Sequence, residues 1–76
     1  MKNIIALDIG GTSIKSAIVK SNGNFFKNSC KLLKIDSTRD KEYIINKFTY
    51  PIKKSLNLLK KTNKNFDGIA ISICHP

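Results

Sequence analysis

The chain has 76 residues, enough for one small domain, and its thirteen lysines and single arginine outweigh five acidic residues to give a net charge of +9. That charge would suit a polyanion, yet base reading favours arginine, which occurs only at Arg39, and no RNP, zinc-finger or helix-turn-helix pattern is present, so a solvated lysine surface is expected and nucleic acid is disfavoured. Cys30 and Cys74 fit neither a CxxC knuckle nor a disulfide framework and point to free thiols in a reducing cytoplasm.

Residues 2–9 read as a nearly continuous apolar strand, the pattern of a strand buried on both faces. Asp8 interrupts this run and Gly10-Gly11 ends it, too early for a secretory signal. No window approaches the roughly 20 apolar residues of a membrane helix. Gly10-Gly11-Thr12-Ser13 forms a turn, and residues 14–20 form a second strand. Asn22-Gly23 carries a hairpin signal. Residues 25–35 return as a third strand, interrupted by Asn28 and Ser29.

Residues 36–40 are polar and suit a loop ending at a helix cap, with Ser37, Thr38 and Asp40 as candidate caps and Glu42 favouring the helix start. Ile45, Phe48, Ile52, Leu56 and Leu59 then recur at spacings of three and four, which marks one apolar helix face. Pro51 removes a backbone donor within this segment, so a kink or two abutting helices are expected. Asn63 and Asn65 end the helix. Residues 67–74 alternate as a fourth strand. The order is β-β-β-α-β, a mixed sheet with its helix on one face and nothing in these residues to cover the other. An incomplete α/β domain is the expectation.

The chemistry-bearing stretch is Leu7-Asp8-Ile9-Gly10-Gly11-Thr12-Ser13-Ile14-Lys15. Glycines at a hairpin turn let backbone N–H groups approach an anion, and successive N–H groups form a nest. Thr12 adds a hydroxyl, and Asp8 places a carboxylate beside the bound phosphates. Mg²⁺ takes one or two carboxylates together with waters and phosphate oxygens. GxxxxGK[ST] and GxGxxG are both absent, and a strand follows the glycines instead of a helix. The same residues also suit a plain tight turn, with Asp8 paired to a lysine.

This stretch resembles the first phosphate motif of the ROK family of sugar kinases, within the ribonuclease H-like fold shared by actin, sugar kinases and heat-shock chaperones. Asn22-Gly23 and Gly68-Ile69-Ala70-Ile71-Ser72 follow in that family's order, so the resemblance covers residues 1–76 as the first part of a kinase small lobe. It implies ATP and Mg²⁺ as cofactors, with Asp8 holding Mg²⁺ through water and Gly10, Gly11 and Thr12 on the β- and γ-phosphates. Lys15 matches the motif's lysine and would neutralise phosphate charge. The implied activity is transfer of the γ-phosphate of ATP to a hexose hydroxyl, with a small sugar and a nucleotide as partners and a homodimer for the full-length enzyme. The resemblance places the general base, the second phosphate motif and the adenosine pocket beyond Pro76, so these 76 residues alone are expected to be inactive. Sugar-responsive repressors of the family carry a DNA-binding domain ahead of the motif, for which the start after Met1 leaves no room. The family's Pro-Gly turn after the fourth strand is replaced by Cys74-His75-Pro76. His75 is read there as a loop residue, not a metal ligand.

Overall fold

A computed structural model describes residues 1–73; Cys74, His75 and Pro76, with the expectations placed on them, lie outside the described residues. The elements are β1 (Asn3–Ile9), β2 (Ser13–Lys20), β3 (Lys31–Lys34), α1 (Lys41–Lys61) and β4 (Gly68–Ile73). They build an α/β unit with a four-stranded mixed sheet in the order β3-β2-β1-β4. β1 pairs antiparallel with β2 and parallel with β4, and β2 pairs antiparallel with β3.

Strand periodicity sorts the side chains. Odd positions of β1 and even positions of β2 point to the helix, where Ile5, Leu7, Ile9, Ile14 and Ile18 are buried. Two clusters form there. Ile5 and Ile18 meet Leu59, with Phe26, Leu56 and Leu58 packed around them. Leu7, Ile9 and Ile14 meet Phe48, Ile52 and Ile35. Ser16 and Ser55 are also buried on this side, and their small side chains suit a close helix-to-sheet approach. Among the described residues no buried side-chain nitrogen or oxygen lacks a partner.

Helix α1 is capped by Asp40, whose carboxylate accepts the Tyr43 N–H at 2.9 Å. It runs as one element of 21 residues through Pro51, so two abutting helices do not form. Pro51 is buried on the inward face together with Leu59; there its ring contributes apolar contact, although it cannot donate to a preceding carbonyl. Ile45, expected on the apolar face, is exposed. The helix ends in a left-handed Asn63, φ 56°. The Asn63 N–H reaches the Lys60 carbonyl and the Lys64 N–H reaches the Leu59 carbonyl at 2.8 Å, the two bonds of a Schellman closure.

The third strand is shorter than expected. Phe25 makes only an isolated bridge to Val19. Asn28 then adopts φ 66° and turns Ser29 inward, where its Oγ accepts the Ile18 N–H at 3.0 Å and donates to the Phe26 carbonyl at 2.7 Å. A side chain thus takes the place of the ladder until Lys31.

Two surfaces lack a covering layer among the described residues. One is the face opposite the helix, as expected. The other is β4 itself: its register puts Ile69, Ile71 and Ile73 on the face of Ile5, Leu7 and Ile9, yet all three are exposed, because α1 packs over β2 and β3.

Candidate phosphate site

The glycine turn joins two antiparallel strands. Ile9 pairs with Ile14, and the Gly10 N–H donates to the Ser13 carbonyl at 2.9 Å to close the turn. The Thr12 carbonyl accepts the Ile35 N–H at 2.9 Å, which ties the turn to the end of β3. The backbone is therefore held at both ends, while the Gly11 and Thr12 N–H groups donate to no other group among the described residues. Gly10 spends its own N–H inside the turn, so what it can offer a ligand is the absence of a side chain.

The protein's own packing does not require these glycines. Neither adopts a left-handed φ, a Cβ on Gly10 would meet only the Ser13 carbonyl oxygen at an ordinary 3.5 Å, and a Cβ on Gly11 would meet nothing within 4 Å. The contrast is Gly23, whose φ of +88° in the Asn-Gly hairpin strains any other residue. The space before Gly10 and Gly11 is open to a group from outside the chain.

Asp8 is two residues before Gly10, on the face away from the helix, and its carboxylate is exposed. Lys15 stands directly across from it in β2 and Ser72 directly across in β4. The three make one polar row over the sheet beside the turn. A weak, solvent-screened cross-strand charge pairing between the exposed Asp8 and Lys15 is the structural role open to both. Ser72 was not singled out by sequence, since only the parallel β1–β4 register brings it to Asp8. The next row on this face is Ala17, Ala6 and Ala70, and its small side chains leave a shallow groove.

The groove measures about 500 Å³ and is lined by Ala6, Asp8, Lys15, Ala17, Phe25 and Leu32, among others. Phe25 and Leu32 are largely exposed in its walls. It is an apolar trough with Asp8 and Lys15 toward the glycine turn and Lys31 in its wall from β3.

Among the described residues no three His, Cys, Asp or Glu side chains gather into a metal cluster. A single carboxylate beside an open anion turn fits Mg²⁺ only in the form in which that ion usually binds, with phosphate oxygens and water completing its shell. Asp8, Gly10, Gly11, Thr12 and Lys15 all lie at one end of the β1–β2 hairpin, as their sequence spacing implies. No helix among the described residues is long and apolar enough to cross a membrane. Neither a known family model nor a curated protein matches this sequence.

Proposed function

We propose that this chain supplies the first phosphate-binding turn of an ATP-dependent hexose kinase of the ROK type, as part of a ribonuclease H-like ATPase lobe. The observation that carries the reading is the Gly10-Gly11 turn, fixed at both ends and beside an exposed carboxylate, whose glycines the fold itself does not need. The ROK-like motif across Leu7 to Lys15 and the β-β-β-α-β order add to it.

In this reading the Gly11 and Thr12 N–H groups and the Thr12 hydroxyl receive the β- and γ-phosphate oxygens. Gly10 and Gly11 let those oxygens approach the backbone. Asp8 holds Mg²⁺ through water, and Lys15 offsets phosphate charge from the neighbouring strand. Bound Mg²⁺ would neutralise the charge that builds on the phosphates during transfer. The chain's own contribution is position and preorganised donors, which act most strongly where charge develops.

The test is an NMR titration of the 76-residue chain with MgADP and with a non-hydrolysable MgATP analogue. Amide shifts should concentrate at Gly11 and Thr12, depend on Mg²⁺, and disappear in Asp8→Ala. No Mg²⁺-dependent shifts at Gly11 and Thr12, or shifts there unchanged in Asp8→Ala, would overturn the assignment. Mixed with MgATP and a panel of hexoses, the same chain should release no ADP above background, because the resemblance puts the general base outside it.

A further inference from the structure

The opposite end of β1, roughly 20 Å from the glycine turn for a strand of this length, holds a second concavity of about 490 Å³. Lys20, Lys27 and Lys64 line it, together with Asn63 and Asn65, and no acidic residue does. Lysine fills 13 of the 76 positions of the chain but three of the eight lining this cavity, about twice its general share.

The three lysines come from different segments, each on pinned backbone. Lys20 ends β2 opposite Asn3, and its ammonium lies 5.6 Å from the centre of the Phe26 ring, which is itself packed on Ile5, Ile18 and Leu59. Lys27 precedes the left-handed Asn28 and the buried anchor Ser29. Lys64 is fixed by the Schellman closure, whose bonds occupy the Leu59 and Lys60 carbonyls. The last-turn lysines that suit the helix dipole are Lys60 and Lys61, so Lys64 is not needed for that purpose. Asp67, at the same end of the sheet, spends a carboxylate oxygen on the Asn3 N–H at 2.9 Å.

Three lysines with no acidic residue among them bring net positive charge to one concavity, and a multivalent anion entering it would offset that charge. We propose that this cavity binds a small anion carrying two or more adjacent phosphate groups, independently of the glycine turn. Lysines act as point charges on phosphate and do not select planar groups. A single phosphate would leave cationic charge uncompensated, whereas a diphosphate or triphosphate balances three ammonium groups. Single-stranded nucleic acid needs exposed aromatic platforms, but Phe26 is committed to the core and faced by Lys20. The side-chain amides of Asn63 and Asn65 add neutral donors.

The experiment is a titration of the full chain with inorganic pyrophosphate and tripolyphosphate in the absence of Mg²⁺, followed by amide NMR. Shifts should centre on Lys20, Lys27 and Lys64. The triple variant Lys20→Gln, Lys27→Gln, Lys64→Gln should weaken binding at least ~10-fold. A charge-matched control of Lys41→Gln, Lys53→Gln, Lys54→Gln should bind as the parent does. In the unaltered chain, tripolyphosphate should protect Lys20, Lys27 and Lys64 from acetylation more than the other lysines, a readout that requires no variant to fold. Equal weakening in both triple variants, uniform protection, or shifts confined to Gly11 and Thr12 would overturn the proposal. A single-stranded oligonucleotide that bound these residues more tightly than tripolyphosphate would also overturn it, in favour of a nucleic-acid surface.

Discussion

The two faces of the sheet are built from alternate residues of the same strands, and they differ in kind. Toward the helix, β1 and β2 present Ile5, Leu7, Ile9, Ile14 and Ile18, all buried. Away from it they present Ala6, Asp8, Lys15 and Ala17, none of them buried. Branched aliphatic side chains fill the first face, whereas the second carries small or charged ones beside the glycine turn and the half-buried pair Ile4 and Val19 at its far end. Cohesion therefore resides on one face, and the residues proposed to bind phosphate lie on the other. A substitution should affect one without the other, which gives the contrast a direct test.

The largest effect is expected on the covered face. Ile18→Ala removes a fully buried side chain from contact with Ile5 and Leu59 and should cost about 2–5 kcal/mol. In so small a domain that should abolish the cooperative transition in urea. A midpoint close to the parent's would mean that the covered face is not the core. Ser29→Ala comes next, because it leaves the buried Ile18 N–H without its acceptor. About 1–3 kcal/mol is expected, read as a lower urea midpoint. Asp40→Ala removes the cap of the covering helix and should cost about 1 kcal/mol, with Asp40→Asn close to neutral.

On the open face the same measurement should barely move. Gly11→Ala and Asp8→Ala should each stay within about 0.5 kcal/mol of the parent, since a Cβ at Gly11 meets nothing and the Asp8 carboxylate is exposed. Both should nevertheless lose the Mg-nucleotide shifts at Gly11 and Thr12. A large loss of stability in either variant would return these residues to a purely structural role.

The smallest effect concerns Asp36, in the loop before α1. Hydrogen bonds from the Thr38 hydroxyl and then the Thr38 N–H, aided by Arg39, hold its carboxyl below the ordinary value of 3.8. A lowered folded-state value means that this contribution is present above the unfolded-state value and is lost as pH falls through the folded one. Asp36→Asn should lose this small contribution at neutral pH and flatten the acid side of the stability–pH profile below about pH 4, where parent and variant converge. A steeper acid limb in the variant would contradict that sign.

Periodicity alone made β1, β2, α1 and β4 legible within a residue or two. It failed on β3 because Ser29 acts through a tertiary bond to Ile18 that no alternation of residue types reveals. The cap was narrowed to three residues, since Ser37, Thr38 and Asp40 are all good acceptors; only the position of Tyr43 relative to Asp40 decides among them. At the site, Asp8 and the two glycines were visible because a hairpin places them by local geometry. Ser72 and Leu32 were not, because their approach depends on strand pairings 64 and 17 positions apart, and Phe25 was not because its bridge to Val19 leaves the ladder that periodicity predicts.

That distance also shapes how the chain reaches its final form. The β1–β2 hairpin closes over four residues at the glycine turn, whereas the parallel pair requires Gly68 to return to Ile4, 64 positions away. Loop-closure entropy makes the second event the slower one. During the interval β1 has an unpaired inner edge, and β4, with no charged residue in Gly-Ile-Ala-Ile-Ser-Ile, has nothing to discourage pairing with another molecule. β3 is spared this exposure by its brevity and by the lysines at both of its ends. Folding yield should therefore fall with chain concentration more steeply than final stability suggests, and a lysine at Ala70 should recover much of it.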